Sequence, residues 1–261
     1  MKKVLIIFVL LLLLCLGPFL APQDPYTVDL SHALQGSSTS NWLGTDNLGR
    51  DVLSRLLTGA PTTVGLSMVA LLFSTMVGVP IGMYAGIGSK GRDWTLMRVT
   101  DTFLSFPEYV IAIVITGIMG PGVLNLIFAI VVVKWVGYAR LARSIVMEEK
   151  HKDYVISARI SGASSTRIVR EHLLVHIAGS VLALATLDMG KIVLLVASLS
   201  FLGLGVPQPS PEWGAMLSEG RTYFVEAPSL MIYPGLAILL VVLLTSVAGD
   251  QLTHRFSGGR R

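Results

Sequence analysis

Six apolar runs, each long enough to cross the roughly 30 Å hydrocarbon core of a bilayer, constrain this chain more than any other feature. They cover Val4 to Leu20, Thr62 to Ile87, Thr102 to Met119, Leu124 to Arg143, His176 to Leu204 and Leu230 to Gly249. Each run is continuous rather than alternating. Helices are therefore expected, and a barrel of two-period strands fits poorly, because hydrocarbon requires every backbone group to find its partner within the segment. Composition agrees: 52% of residues are hydrophobic, 14% are charged and the mean hydropathy is +0.70, far from the balance of a soluble domain. The expected fold class is an all-α polytopic membrane protein with six transmembrane helices.

Lysine and arginine are retained on the cytoplasmic side of a membrane, so their placement orients the spans. With the N-terminus inside, the inner segments collect Lys2, Lys3, Lys90, Arg92, Arg98, Arg140, Arg143, Lys150, Lys152, Arg159, Arg167, Arg170, Arg255, Arg260 and Arg261, and the outer segments only Arg50, Arg55 and Arg221. Both termini are thus expected in the cytoplasm. The net charge of +4 follows from this topology, and the scatter of basic residues over every inner loop argues against a nucleic-acid partner.

The first run resembles a secretory signal, with Lys2-Lys3 before an apolar stretch ending in Pro18-Phe19-Leu20-Ala21. Phe19 spoils the small-residue cleavage pattern, so retention as a span is expected. Leu14 precedes Cys15, where a lipid anchor needs a small residue, and a single cysteine allows no internal disulfide.

Three blocks stand out between the runs. Asn41 to Arg55 holds Trp42-Leu-Gly-Thr-Asp46 and Gly49-Arg50-Asp51, with Asp46, Arg50, Asp51 and Arg55 at helical spacing; by spacing alone this reads as a surface helix with local ion pairs. It follows Pro22, Pro25 and a Ser37 to Ser40 patch, expected to be irregular. Asp153-Tyr-Val-Ile-Ser-Ala-Arg-Ile-Ser-Gly162, followed by Ala163 to Arg170, lies between the fourth and fifth runs. Gly162 permits a tight turn there, since a residue without Cβ adopts positive φ cheaply. Leu199-Ser-Phe-Leu-Gly-Leu-Gly205, with Pro207, Pro209 and Pro211 and then Glu212-Trp213-Gly214, closes the fifth run, the prolines ending the helix.

Together these blocks resemble the C-type permease subunit of peptide/nickel ABC importers, over most of Trp42 to Asp250. The resemblance implies the type I ABC importer permease fold in a bacterial inner membrane. It also implies a homologous second permease, two ATP-binding subunits and an extracytoplasmic solute-binding protein. Residues 1–60 would form the first helix and outer loop, 61–252 the five-helix core with a coupling loop at 144–175, and 253–261 a cytoplasmic tail. The coupling helix would dock on an ATPase through Tyr154, Ser157, Ala158, Arg159, Gly162, Ala163 and Arg167. Arg159, Arg167 and Arg170 have an alternative partner in anionic lipid headgroups. Asp46, Arg50, Asp51, Glu212 and Trp213 would serve docking on the outer face. The chain departs from the family's loop pattern at Ile156, where a glutamate is usual, and at Val175, where a proline often stands.

No Gly-x-x-x-x-Gly-Lys-Ser/Thr phosphate loop occurs, so ATP and Mg would be bound by partner subunits and the chain itself needs no cofactor. No catalytic constellation marks an intramembrane enzyme, and no inverted repeat with broken midplane helices marks a secondary transporter; Pro80, Gly82 and Gly86 interrupt the second run without a counterpart. Charges inside the runs are the best clue to the path, because charge in hydrocarbon is costly. Asp188 and Lys191, three apart on one helical face, either neutralise each other or line the translocation path. Lys134 either joins that path or snorkels to the inner interface, and Glu108 is expected near the cytoplasmic mouth, hydrated. Leu184 to Gly190 resembles the nickel branch of the family. Bare transition metal would want clustered imidazole or thiolate, whereas the five histidines (His32, His151, His172, His176 and His254) lie in loops or at span ends. The expected cargo is therefore nickel or another transition metal held in a small chelate, with di- or oligopeptide as the alternative. Which residues would touch the metal is left open.

Overall fold

A computed structural model describes residues 16–258, so the first expected span lies outside the described residues except for its end, where Gly17–Leu20 form a 3-10 turn. Among the described residues the regular structure is helical: α1 (Val52–Ile87), α2 (Lys90–Leu104), α3 (Glu108–Met119), α4 (Val123–Glu149), α5 (Asp153–Ile160), α6 (Ser165–Ile168), a π turn (Val169–Leu173), α7 (Leu174–Phe201), α8 (Trp213–Arg221) and α9 (Ser229–Gly258). Four helical segments among the described residues are long and apolar enough to cross a membrane: α1, α4, Val169–Phe201 ending in α7, and Ser229–His254 of α9.

The third expected span is corrected. Thr102 to Met119 is largely apolar, with Glu108 its one charge, but its backbone breaks at Ser105-Phe106-Pro107, and α2 and α3 meet at 85°. Pro107 has no N–H to donate and disfavours helix at Phe106. The 12 residues of α3 reach only about 18 Å at about 1.5 Å per residue, so α2 and α3 form a fifth crossing only when taken together.

Helices in lipid gain little from apolarity and associate by close packing. Pro80, Gly82 and Gly86 do not interrupt α1, which runs unbroken over 36 residues. Gly78, Gly82 and Gly86 instead form a stripe against α4. A Cβ on Gly82 would strike the Ala139 backbone, and one on Gly86 would lie 2.7 Å from Val146 Cγ1. Ala70, Leu126, Ile130, Ile192, Leu195 and Leu199 then join α1, α4 and α7 in a shared core. Met68, Leu72 and Met76 of α1 and Leu236, Leu240 and Leu243 of α9 face outward, as lipid contact demands.

At one end of the bundle, residues 21–51 fold as an irregular loop, as composition suggested, but the expected surface helix over the charges is overturned. Thr45 and Asp51 form an isolated antiparallel bridge, Asp46 accepts from the backbone of Leu48 and Arg50, and helix begins only at Val52. The charges turn inward. Arg50 donates to Asp46 at 2.6 Å and to Glu219 of α8 at 2.7 Å, and Arg55 lies 3.2 Å from Glu219 and 3.4 Å from Asp46. Both arginines are buried, and the four charges cancel.

Two outcomes test this packing. Gly82→Ala should lower the thermal midpoint of the purified protein by the equivalent of about 1–3 kcal/mol, the cost of overpacking, whereas Gly117→Ala, with nothing within 4 Å, should leave it unchanged or higher. Glu219→Ala leaves two buried guanidinium groups sharing Asp46 alone, one net positive charge uncompensated, and should cost about 3–5 kcal/mol, with the loss visible as reduced membrane levels and a lower melting point.

Candidate functional site

The charges within the spans converge. Lys134 on α4 is buried, and its Nζ donates to Glu108 Oε2 at 3.0 Å and Oε1 at 3.2 Å. The same Nζ stands 3.9 Å from Asp188 Oδ1 on α7, and Lys191 Nζ stands 3.6 Å from that oxygen. Tyr138 donates its hydroxyl to Asp188 Oδ2 at 3.1 Å. Lys134 therefore does not snorkel: carboxylates on α3 and α7 lie within its reach, so its stem stays in the bundle. Glu108, expected to be simply hydrated, is bound by it. Glu108 sits in the first turn of α3, where the helix dipole favours a negative charge. Two cations and two carboxylates balance, so the group can persist in a low-dielectric setting. Lys134 and Asp188 are enclosed, whereas the side chains of Glu108 and Lys191 are 42% and 63% exposed. Such charges belong against water or protein rather than lipid.

At the end opposite α8, α5 is set between the ends of α4 and α7. Val155 is its buried anchor, packed with Ala142, Ile145, Val146, Ile168, Leu173 and Ile177. Ile156, Ser157, Arg159 and Ile160 face outward, as does Tyr154 in part, while Ala158 and Ala163 are half-buried. Gly162 turns the chain at φ 83°, with open space where a Cβ would stand, in line with the conformational freedom read from its sequence position. Arg167 is drawn into an ion pair with Glu171 at 2.8 Å, and Arg170 lies 3.7 Å from the same carboxylate. Arg159 has no ion-pair partner among the described residues.

One buried carboxylate here escaped the sequence reading. Glu149, at the last turn of α4, is 1% exposed, takes Lys152 Nζ at 2.6 Å and accepts the Tyr154 hydroxyl. The Tyr154 ring lies 5.7 Å from both His172 and His176. Burial and the bond to Glu149 hold the Tyr154 phenol above its usual range, so it remains a donor. The tyrosine thus ties α5 to α4, the π turn and α7 at once. No local pattern marks Glu149; only the tertiary fold buries it.

The residues expected to serve outer docking are buried. Asp46, Arg50 and Asp51 are at most 6% exposed, Glu212 is 0% and Trp213 1%. Asp51 caps α1 through Ser54 N–H at 2.8 Å. Glu212 caps α8 and accepts from Thr63 Oγ1 at 2.9 Å, while Trp213 Nε1 donates to Leu56 O at 2.9 Å. These side chains hold residues 41–51 and the start of α8 to α1 and are themselves enclosed, leaving little of them to form a contact surface. Glu219, which completes their network, was not singled out from sequence because nothing local marks it.

Among the described residues no group of three or more His, Cys, Asp or Glu is placed to hold a metal ion. Known proteins bear on this arrangement. Residues 78–258 match the family described as binding-protein-dependent transport system inner membrane component. The nickel transport system permease protein NikC of Escherichia coli (strain K12) is 39% identical over 252 residues, covering 96% of this chain and 91% of that protein. The di/tripeptide transport system permease protein DppC of Pseudomonas aeruginosa (strain UCBPP-PA14) is 36% identical over 255 residues, covering 95% of this chain and 84% of that one. The probable D,D-dipeptide transport system permease protein DdpC of Escherichia coli (strain K12) is 35% identical over 247 residues, with 95% and 83% covered. In fold, the chain is similar to the inward-facing MetNI methionine ABC transporter, with a TM-score of 0.62 at 20% identity over 77% of this chain and 95% of that one. Apolar crossings, a short helix inserted between two of them and these relatives converge: the chain belongs to the binding-protein-dependent inner membrane components, as a permease of the peptide/nickel ABC importer family.

Proposed function

We propose that this chain is one of two homologous permease subunits through which an ATP-driven importer moves nickel, or another transition metal, as a small chelate across a bacterial inner membrane. Two ATP-binding subunits would supply ATP and Mg, and an extracytoplasmic solute-binding protein would deliver the cargo. Both termini are assigned to the cytoplasm on the distribution of lysine and arginine, so α5 lies on the ATPase side.

The observation that carries the coupling role is α5 itself. It buries Val155 and presents Ile156, Arg159 and Ile160 outward, an apolar and basic face suited to a groove on an ATPase. Closure of the ATPase pair would displace α5. Tyr154 and Glu149 would pass that displacement to α4, and the rings of His172 and His176 to α7. Arg167, already paired with Glu171, contributes less than Arg159. No residue in this scheme performs bond chemistry, and the chain works as a transmission rather than as an enzyme.

The nickel assignment rests on the likeness to NikC, and the chelate on the donor set. The path offers carboxylates, ammonium groups and a phenol at Lys134, Asp188, Lys191, Glu108 and Tyr138, a set that reads the outside of a carboxylate-bearing chelate better than it binds bare metal. The second reading, di- or tripeptide import, is favoured by the likeness to DppC, and a peptide zwitterion would meet the same charges.

Three outcomes follow. Ile160→Glu should reduce transport by about tenfold or more, corresponding to about 1.4 kcal/mol per decade in ATPase binding, and the ATPase should be lost on co-purification while the permease stays at normal membrane levels. Glu149→Ala should leave the ATPase bound but lower the cargo moved per ATP hydrolysed, and Glu149→Gln, which still accepts from Tyr154, should recover much of it. Cells lacking the protein, grown metal-poor with chelator supplied, should show a nickel deficit by elemental mass spectrometry that complementation restores. Unchanged metal with lost growth on dipeptides would instead establish the peptide reading.

A further inference from the structure

The 85° break before α3 leaves α2 on a course of its own, and its charged stretch, Lys90 to Asp101, is wrong for the hydrocarbon. Lys90, Arg92, Asp93, Arg98 and Asp101 are five charges in 15 residues. They are equally wrong for open water, since Trp94 is 63% exposed and Phe106, just past the helix, 59%. Cations mixed with exposed aromatic rings belong at the headgroup layer.

The placement of these groups is specific. Lys90, Asp93, Trp94, Met97, Arg98 and Asp101 recur at helical spacing and line, with Arg143 of α4, an open groove of about 380 Å³. Both of its carboxylates are already matched. Arg143 grips Asp93 through two bonds at 2.5 and 2.6 Å, and Arg140 lies 3.4 Å from Asp101. Phe103 packs edge-on against Trp135 of α4 at 5.8 Å. These contacts fix α2 on α4 and leave Lys90 and Arg98 as cations without a carboxylate partner among the described residues. Arg98 lies over the Trp94 ring at 5.4 Å, so its charge is held at the groove rather than dispersed in solvent.

We propose that this groove binds the headgroup phosphate of an anionic phospholipid. Lys90 and Arg98 are the phosphate ligands, and the Trp94 ring lies at the boundary between headgroup and acyl chain. Two unmatched cations against a phosphate give the charge complementarity, and the apolar surface of Trp94 and Met97 favours a lipid over a free anion. Bound lipid would brace the hinge between α2 and α3, and therefore the position of Glu108 at the start of α3. The inference concerns the membrane partner and stands whichever cargo is carried.

The test uses the purified importer in detergent, its thermal midpoint followed while phosphatidylglycerol, phosphatidylcholine with identical acyl chains, or glycerol 3-phosphate is added. The variant Lys90→Gln/Arg98→Gln removes both charges but keeps polar side chains at exposed positions and should fold; Arg221→Gln, a charge removed at the opposite end, is the control. Saturable stabilisation by phosphatidylglycerol is expected in the wild type and in the control, with apparent affinity lowered about tenfold or more in the double variant, as loss of about 1.4 kcal/mol would give. Equal stabilisation by phosphatidylcholine, an equal effect of glycerol 3-phosphate, or an unchanged response in the double variant would overturn the proposal. If the double variant does not fold, native mass spectrometry of the wild type decides: retention of phosphatidylglycerol in preference to phosphatidylcholine, abolished by Trp94→Ala, supports the site, and absence of preference overturns it.

Discussion

Hydrocarbon offers a polypeptide neither hydrogen-bond partners nor a hydrophobic drive between its segments, and the arrangement of this protein answers both deficits. Helices satisfy the first, since an α-helix bonds its interior backbone groups within its own segment, with local exceptions at Pro61, Pro80 and Pro234. The second is met by proximity. The stripe of Gly78, Gly82 and Gly86 brings α1 onto the backbone of α4, where dispersion contacts accumulate over several turns. With that pair fixed, α7 fills the remaining side of the core through Ile192, Leu195 and Leu199. Gly190 and Gly249 then admit α9 against α7, each with a neighbouring side chain of the other helix close by.

Charge is handled differently at three levels of the bundle. At the α8 end, Arg50, Arg55, Asp46 and Glu219 form a closed network whose partners all come from the chain itself. Such a cluster is a fastener, costly to break from one side. In the middle, Glu108, Lys134, Asp188 and Lys191 balance each other, yet two of the four remain open to the side. At the α5 end, Glu149 is enclosed while Arg159 is left outward and unmatched among the described residues. Closure therefore decreases from the α8 end to the α5 end, and the open charges are the ones available to a cargo, a partner or a lipid.

Much of the bundle was legible in the sequence because its signals are compositional. Four long spans coincide with apolar runs, and the short helix between α4 and α7 lies where a charged segment separates two of them. Pattern failed where a local rule and a long-range contact compete. Pro80 looked like an interruption, yet α1 continues through it; Pro107 lies inside a run read as one span, yet it divides α2 from α3. Asp46, Arg50 and Arg55 had helical spacing, but the loop uses them at close quarters with Glu219, a residue 164 positions beyond Arg55.

By itself, the sequence determined that the chain crosses a membrane as helices and which segments lie between the crossings, because apolar length and charge act locally and sum along the chain. It also carried the motifs that mark a permease of the peptide/nickel family. Only the tertiary structure decided which charges meet: that Lys134 turns inward to Glu108, that Glu149 disappears beneath Tyr154, and that Asp46, Arg50, Asp51, Glu212 and Trp213 are buried supports rather than an exposed face. The physical reason is that the free energy of a charge depends on its distance from other charges and on the surrounding dielectric, and both are set by residues remote in sequence.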